Sequence, residues 1–321
     1  MLSRLAPFAD PMIAVLIVAT LAALTFPAMG EARSNWQAVS SAAIFLLFLL
    51  NGMRVARGEI ARAFVNWHYY AMLFVWVFGV MALAGLAMSK LATGLLPPLV
   101  ALGFLFLGVL PSTVQSATSY STLAKGNIAL SVVGAALINI FGVFISAPLF
   151  ALLGGGQAVD IGGDAAVRIA TILVLPFILG QALQGWTREW ILVRKHRIVW
   201  VDRIVIGIAV YVAFSGAVEQ GLAIMFDGLG WATLIGLVIA YLLAAKSGAW
   251  IMARILGYPR EDRIAFLFAA AQKSVAVGAP LAAILFKPEA AGFVIAPLLI
   301  YHLLQLVIAA PLASYLARCA H

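Results

Sequence analysis

The residue whose type and position best fit a chemical role is a lysine in the middle of an apolar stretch. Lys273 lies between Gln272 and Ser274, after one apolar run and before another. A charged side chain at the centre of a bilayer costs at least about 2.5–3.5 kcal/mol, so such a residue usually faces the protein interior and has a function. A lysine that extends to the membrane surface is the alternative, and it fits Lys246 better, because Lys246 is eight residues from Arg254 at a predicted span end. We expect Lys273 to contact either an anionic substrate or the carbonyl and hydroxyl groups of another span.

A second polar interruption occurs in an earlier span. The apolar run from Leu95 to Leu110 is followed by a hydroxyl-rich segment that contains Pro111, Ser112, Thr113, Gln115, Ser116, Thr118 and Ser119. The lysine-bearing span also carries Gly278 and Pro280, and we predict that both spans break in mid-membrane. Broken helices expose backbone carbonyls near the bilayer midplane, where transporters hold substrates and ions. A packed proline kink explains one such break, but two breaks in corresponding spans favour a binding site.

The candidate substrate-binding residues belong to these interruptions or to the last span. They are Lys273, Gln272, Ser274, Gln115, Ser116, Thr118 and His302. His302 and Gln305 are one helical turn apart and could line a cavity, although a satisfied interhelical hydrogen bond explains them equally well. Because no Asp or Glu lies deep inside a predicted span, a proton or sodium relay on a buried carboxylate has no candidate.

Signatures of an enzyme are weak. The sequence has no H-E-x-x-H motif and no paired carboxylates inside the spans, so we expect no catalytic residues, no cofactor and no metal site. Ser116 with Lys273 stays open as a nucleophilic pair. The single Cys319 excludes a disulfide framework within the chain and a multi-cysteine metal site.

The elements that position these residues are predicted to be membrane helices. Hydrophobic residues make up 64% of the 321 residues and charged residues 10%, with a mean hydropathy of +1.09, which excludes a soluble globular domain. The apolar runs are about 20 residues long and lack alternation, so they predict helices and not the strands of a barrel. The ten predicted spans are 11–28, 36–53, 67–88, 95–121, 126–152, 166–186, 199–218, 229–253, 263–286 and 290–317.

The basic residues are distributed unevenly between the two faces of this predicted bundle. With ten spans, 14 of the 20 Lys and Arg residues lie on the face of the termini and the even-numbered loops: Arg4, Arg54, Arg57, Arg62, Lys125, Arg188, Arg194, Lys195, Arg197, Arg203, Arg254, Arg260, Arg263 and Arg318. The other face carries four, which are Arg33, Lys90, Arg168 and Lys287, and two lie inside spans. Because cytoplasmic loops accumulate Lys and Arg, this bias predicts a bacterial inner-membrane protein with both termini in the cytoplasm. It also accounts for the formal charge of +8 without a nucleic-acid partner.

Ten spans divide into two sets of five. Because five is odd, two repeats of five spans insert with opposite topology, an arrangement common in secondary transporters. We therefore predict a first repeat over residues 1–152 and a second over 166–317, each with its polar interruption in the fourth span.

Several stretches resemble the bile acid:sodium symporter family, also called solute carrier family 10. The most specific is Leu123-Ala124-Lys125-Gly126-Asn127-Ile128-Ala129-Leu130-Ser131 at the start of span 5. Supporting matches are Asn51-Gly52-Met53 in span 2, Leu175-Pro176-Phe177-Ile178-Leu179-Gly180-Gln181 in span 6, and Tyr301-His302 in span 10. The resemblance implies an all-α fold of ten helices in two inverted repeats. Helices 4 and 9 would cross at their breaks in a core domain (spans 3–5 and 8–10), which packs on a panel domain (spans 1, 2, 6 and 7).

The resemblance also implies where sodium would bind in relatives, and this sequence departs from that pattern. Ser116 and Ser131 match hydroxyl ligands, but Lys273 occupies the position of a glutamate ligand and Val277 that of a glutamine. A fixed ammonium at a sodium site repels sodium. The sequence Gln272-Lys273-Ser274 is similar to the atypical SBF-like branch, which includes the divergent seventh human member, linked to calcium homeostasis.

These observations favour a secondary transporter that carries an organic anion by alternating access. We expect a small anionic substrate and no usual coupling to sodium, with Lys273 supplying the positive charge. The first alternative is a non-transporting membrane regulator or sensor of cation homeostasis, for which absence of alternating access in crosslinking experiments would be diagnostic. The second alternative is a sodium-coupled symporter similar to those for bile acids.

Overall fold

The fold is built from membrane-length helices joined by short loops. The computed structural model describes residues 11–54, 66–155, 164–221 and 228–319. The helices are α1 (Pro11–Thr25), α2 (Gly30–Arg54), α3 (Trp67–Ala92), α4 (Pro98–Val109), α5 (Val114–Leu123), α6 (Ile128–Phe150), α7 (Asp164–Ile169 and Leu175–Val193), α8 (Lys195–Glu219), α9 (Gly228–Ile255), α10 (Arg260–Ala271), α11 (Val275–Leu285) and α12 (Pro288–Arg318). Turns of π-helix occur inside α3 (Val75–Val80), after α6 (Ala151–Gly155) and inside α7 (Ala170–Val174).

Each predicted span coincides with one helix or with one consecutive pair of half-helices. Among the described residues, eight helical segments are long and apolar enough to cross a membrane, with α10 and α11 counted as one segment. The pair α4–α5, bent by 64°, makes a ninth, while α1 has only 15 residues. The chain is thus a polytopic helical membrane protein, and the number ten stays a prediction. Arg4, Arg57 and Arg62 of the basic face lie outside the described residues.

Local sequence explains where the central helices begin. The side chain of Asn127 accepts a hydrogen bond from the backbone N–H of Leu130, and that of Ser274 accepts one from Val277, so each caps the start of its helix. Pro98 occupies the first turn of α4, where the missing N–H has no intrahelical partner to lose. The helix interruption before α11 is limited to residues 272–274. The prediction that Gly278 and Pro280 also interrupt the span is wrong, because both lie inside α11.

Each of the main helix contacts in the first half of the chain has a counterpart in which the corresponding helices of the two halves are exchanged. Helix α1 lies on α8 and α2 on α7, while α3 lies on α4 and α9 on α10. Likewise α4 contacts α12 and α10 contacts α6, and α5 contacts α6 as α11 contacts α12. The segment formed by α10 and α11 is the most enclosed, with 94% of its apolar window buried against 33% for α2. The broken helices therefore lie at the centre of the bundle.

Two glycines allow α8 and α12 to approach closely on the face that carries few basic residues. A Cβ atom at Gly292 of α12 would lie 2.5 Å from the Ala217 side chain and 2.6 Å from the Ala213 carbonyl oxygen. Gly216 of α8 is pressed in the same way against the start of α12. On this face Arg33 of α2 also pairs with Glu219 and, at 2.6 Å, with Glu289. These contacts hold α2, α8 and α12 together on this face.

Candidate functional site

The candidate site lies where the two broken segments cross. Between α4 and α5 the backbone is extended at Leu110 and Thr113, and between α10 and α11 it is extended at Gln272 and Ser274. The last carbonyls of α4 have no partner within their own helix, because a helix ends with four unpaired C=O groups. In the interior of a membrane protein these groups need partners from other segments.

The ammonium group of Lys273 supplies two of these partners. Its Nζ donates to the carbonyl oxygen of Gly108 at 2.8 Å and to that of Leu110 at 2.7 Å. The Lys273 side chain is completely buried. A cation at this position also complements the negative end of the α4 dipole. Of the two partners expected for Lys273, the structure thus provides the backbone carbonyls.

The carbonyl oxygens of Val109, Pro111 and Ser112 also accept hydrogen bonds. Ser146 of α6 donates its hydroxyl to the carbonyl oxygen of Val109 at 2.9 Å, and Asn139 donates its amide to that of Ser112 at 2.5 Å. The backbone N–H of Ser274 donates to the carbonyl oxygen of Pro111 at 3.0 Å. Every carbonyl from Gly108 to Ser112 therefore has a partner, which fixes the first break against α6 and the second break.

The second break is held by the last helix. The side-chain oxygen of Gln305 accepts from the backbone N–H of Lys273 at 2.8 Å, and its nitrogen lies 3.0 Å from the Lys273 carbonyl oxygen. That nitrogen is also 2.8 Å from Nδ1 of His302. The Tyr301 hydroxyl donates to the carbonyl oxygen of Ala271 at 2.6 Å. Helix α12 thus takes up the backbone groups that the break leaves without helical partners.

The two breaks also contact each other through side chains. The Ser116 hydroxyl donates to the side-chain oxygen of Gln272 at 3.1 Å and forms a second hydrogen bond with Thr113. The side-chain nitrogen of Gln272 is buried and has no hydrogen-bond partner among the described residues. The Thr118 hydroxyl is also buried and has no hydrogen-bond partner among the described residues. The side-chain N–H groups of Gln272 are therefore donors at the crossing that no described group uses.

The structure does not bring all the predicted residues together. Lys273, Gln272, Ser274, Ser116 and His302 meet at the crossing through the hydrogen bonds given above. Gln115 is exposed on α5 and takes no part in these hydrogen bonds.

Ser131, which the resemblance matches to a sodium ligand, also takes no part in the hydrogen bonds of the crossing. The hydroxyl of Ser131, at the start of α6, forms a 3.0 Å hydrogen bond with that of Ser121. Lys246, which the sequence favoured as a lysine extending to the membrane surface, is buried in the bundle, with only 5% of it exposed.

Four residues of the crossing were not among the predicted site residues. Asn139 and Ser146 are isolated polar residues in the apolar α6, and Tyr301 and Gln305 flank His302 in α12. Their sequence signal is a single hydrogen-bonding side chain inside an apolar helix, which packing between helices explains equally well. Only the position of the broken backbone separates the two interpretations.

Comparison with known proteins assigns the chain to a family. The model of the SBF-like CPA transporter family matches residues 10–318. The chain belongs to this family. An uncharacterized protein of Pseudomonas aeruginosa is 35% identical over 308 residues, covering 94% of this chain and 91% of that protein.

Two further relatives carry the names of transporters. The putative symporter YfeH of Escherichia coli is 32% identical over 317 residues, covering 96% and 93% of the two chains. Sodium/bile acid cotransporter 7 of Danio rerio is 25% identical over 277 residues, covering 84% and 81%. The resemblance to the bile acid:sodium symporter family and its SBF-like branch is confirmed, and the SBF-like family assigns the chain to the membrane transporters.

Proposed function

We propose that the chain is a secondary transporter that moves a small organic anion by alternating access, without sodium bound at the helix crossing. The observation that carries this proposal is the contact of the Lys273 ammonium with the carbonyl oxygens of Gly108 and Leu110. Carbonyl oxygens at a helix break are the groups that hold coupling cations in secondary transporters. A second cation beside a fixed ammonium is repelled, most strongly where water is excluded. The lysine therefore takes the place of a dissociable cation.

The charge of the crossing favours an anionic substrate. Among the described residues, no Asp or Glu side chain contacts the Lys273 ammonium. The unused N–H of Gln272 and the hydroxyl of Thr118 are hydrogen-bond donors suited to a carboxylate or sulfonate. Gln115, Ser116, Ser274 and His302 complete the proposed substrate-binding set, with Ser131 as a flanking position.

Alternating access needs two bodies that move against each other. The exchanged helix contacts support two inverted repeats, since swapping the halves of the chain converts α1–α8 into α7–α2 and α3–α4 into α9–α10. We assign α3–α6 and α9–α12 to a core domain and α1, α2, α7 and α8 to a panel domain. The Arg33–Glu289 ion pair then joins panel to core on the face that carries few basic residues. The basic face would lie in the cytoplasm of a bacterium, with both termini.

Transport in proteoliposomes tests the substrate and the coupling. Purified protein would be screened by thermal unfolding against organic anions, including the bile acid taurocholate, in sodium or choline chloride of equal ionic strength. We expect at least one anion to be stabilising and to be taken up at equal rates with and without a sodium gradient. Lys273→Met should abolish that uptake, while Lys287→Met, an exposed lysine on the other face, should not. Taurocholate uptake by the unmodified protein that requires an inward sodium gradient would refute the proposal.

Crosslinking tests alternating access separately. In a Cys319→Ser background, Arg33→Cys and Glu289→Cys would be joined by a short bis-maleimide. We expect the crosslink to stop uptake, since the panel could no longer leave the core on that face, while each single cysteine variant keeps it. Full uptake by quantitatively crosslinked protein would exclude this movement.

A further inference from the structure

A pocket of about 700 Å³ lies away from the crossing, between α9, α10 and α12. Its apolar wall includes Leu243, Ile308 and Leu312, and its aromatic wall includes Trp250 and Tyr315. Leu243 and Tyr315 are more than half exposed, at 52% and 57%, so the pocket opens on the outer surface of the helix bundle. In a membrane this surface borders the lipid.

Three cations line the same pocket, and no carboxylate from the described part of the chain does. They are Lys246 of α9 and Arg260 and Arg263 of α10. Arg260 is held at the rim by a hydrogen bond to the carbonyl oxygen of Leu316. Among the described residues, none of the three forms an ion pair.

Lys246 is the group whose environment is incomplete. It is 95% buried, and its Nζ has no hydrogen-bond partner among the described residues. The negative face of the Phe268 ring lies near it, with the ring centroid 5.5 Å from Nζ. An aromatic face offsets only part of the free energy needed to remove an ammonium from water, and the rest requires an anion.

Arg263 has a similarly incomplete environment nearer the rim. Its guanidinium lies over the Trp250 ring, 5.7 Å from the centroid, and its Nε is buried with no hydrogen-bond partner in the part of the chain that the structure describes. At 1.5 Å per residue, Arg263 is about 4–5 Å and Phe268 about 12 Å along α10 from Arg260. The cations therefore follow α10 from its first residue inward along one wall, with apolar side chains beside them.

We propose that this pocket binds the phosphodiester of an anionic glycerophospholipid, with its acyl chains along Leu243, Ile308 and Leu312. Lys246 and Arg263 hold the phosphate oxygens, and Arg260 marks the headgroup level. Basic pockets between membrane helices bind anionic lipid headgroups in this way, since the headgroup supplies charge and the chains supply apolar contact. The opening toward lipid and the apolar wall favour a lipid over a free anion from water.

Native mass spectrometry of the delipidated, full-length protein tests the proposal. Phosphatidylglycerol and phosphatidylcholine with the same acyl chains differ in net charge but share the phosphodiester. We expect phosphatidylglycerol to bind at least tenfold more tightly than phosphatidylcholine. Lys246→Met and Arg263→Gln should each reduce that preference at least tenfold, whereas Lys287→Met should leave it unchanged.

A second readout separates binding from folding. Because Lys246→Met removes an unpaired buried charge, it should raise the unfolding temperature without lipid while losing the upward shift that phosphatidylglycerol gives the unmodified protein. Equal binding of the two lipids, or phosphatidylglycerol binding that survives in both variants, would overturn the proposal. A shift of the same size with millimolar inorganic phosphate that is lost in Lys246→Met would assign the pocket to a soluble anion and overturn the lipid assignment.

Discussion

Replacement of Lys273 by methionine tests whether the ammonium holds the two helix breaks together. Methionine keeps most of the side-chain length but removes the donors to the carbonyl oxygens of Gly108 and Leu110, which lie at 2.8 and 2.7 Å. The Lys273 backbone can keep its hydrogen bonds to Gln305, since they do not involve the side chain. The substitution therefore isolates the contribution of the ammonium.

The expected magnitude is a difference between two opposing effects. A hydrogen bond from a charged donor contributes about 1.5–3 kcal/mol, so two of them contribute about 3–6 kcal/mol. Removal of a charge from the bilayer centre recovers about 2.5–3.5 kcal/mol. The mid-range values, about 4.5 and 3 kcal/mol, leave a net loss of unfolding free energy of roughly 1.5 kcal/mol, which lowers the unfolding temperature by about 3 °C.

Thermal unfolding in detergent measures this loss. The matched control is Lys287→Met, because Lys287 is exposed at the start of α12 and its replacement should stay within about 0.5 kcal/mol of the original stability. A higher unfolding temperature for Lys273→Met than for the unmodified protein would refute the reasoning. It would mean that the buried ammonium lowers the stability of the fold, and that the other hydrogen bonds alone hold the break.

Three further substitutions test other parts of the fold by thermal unfolding. Gln305→Leu should lower stability by about 2–4 kcal/mol, because it leaves the backbone N–H and C=O at the second break unpaired; no loss would contradict that role. Gly292→Ala should destabilise by about 1–3 kcal/mol through overpacking against α8, whereas Gly236→Ala, with nothing within 4 Å, should not; equal effects would exclude the close approach. Asn127→Asp places two carboxylates at the 2.8 Å contact with Asp262, so its stability deficit should be larger at pH 7.5 than at pH 5; a pH-independent deficit would contradict this.

The sequence allowed the positions of the breaks to be predicted, because polar residues are rare inside membrane spans and two such runs stand out. Lys273 was identified for the same reason. Its partners could not be predicted, since backbone carbonyls carry no sequence signal and any broken helix offers several. Which carbonyls face the lysine depends on how α4, α6 and α10 pack together.

Single polar residues were harder to interpret than runs. Asn139 and Ser146 each satisfy one carbonyl of the first break, a role that follows from their distance to α4 and not from their surroundings in sequence. Gly278 and Pro280 were predicted to interrupt the span, but both lie inside a helix. Residues that weaken helices are tolerated when neighbouring side chains pack closely around them. Lys246 is close to a span end in sequence, but α10 and α12 cover it.

A cation that is covalently part of the chain changes how membrane voltage acts on a transporter. Unlike sodium, the Lys273 side chain cannot dissociate from the crossing, so in the proposed transport cycle an empty crossing with this lysine protonated would carry one positive charge. A charge that crosses the full field changes in energy by about 2.3 kcal/mol per 100 mV. A bound monovalent anion cancels that charge, so voltage would act on the return of the empty carrier and not on the step that carries substrate.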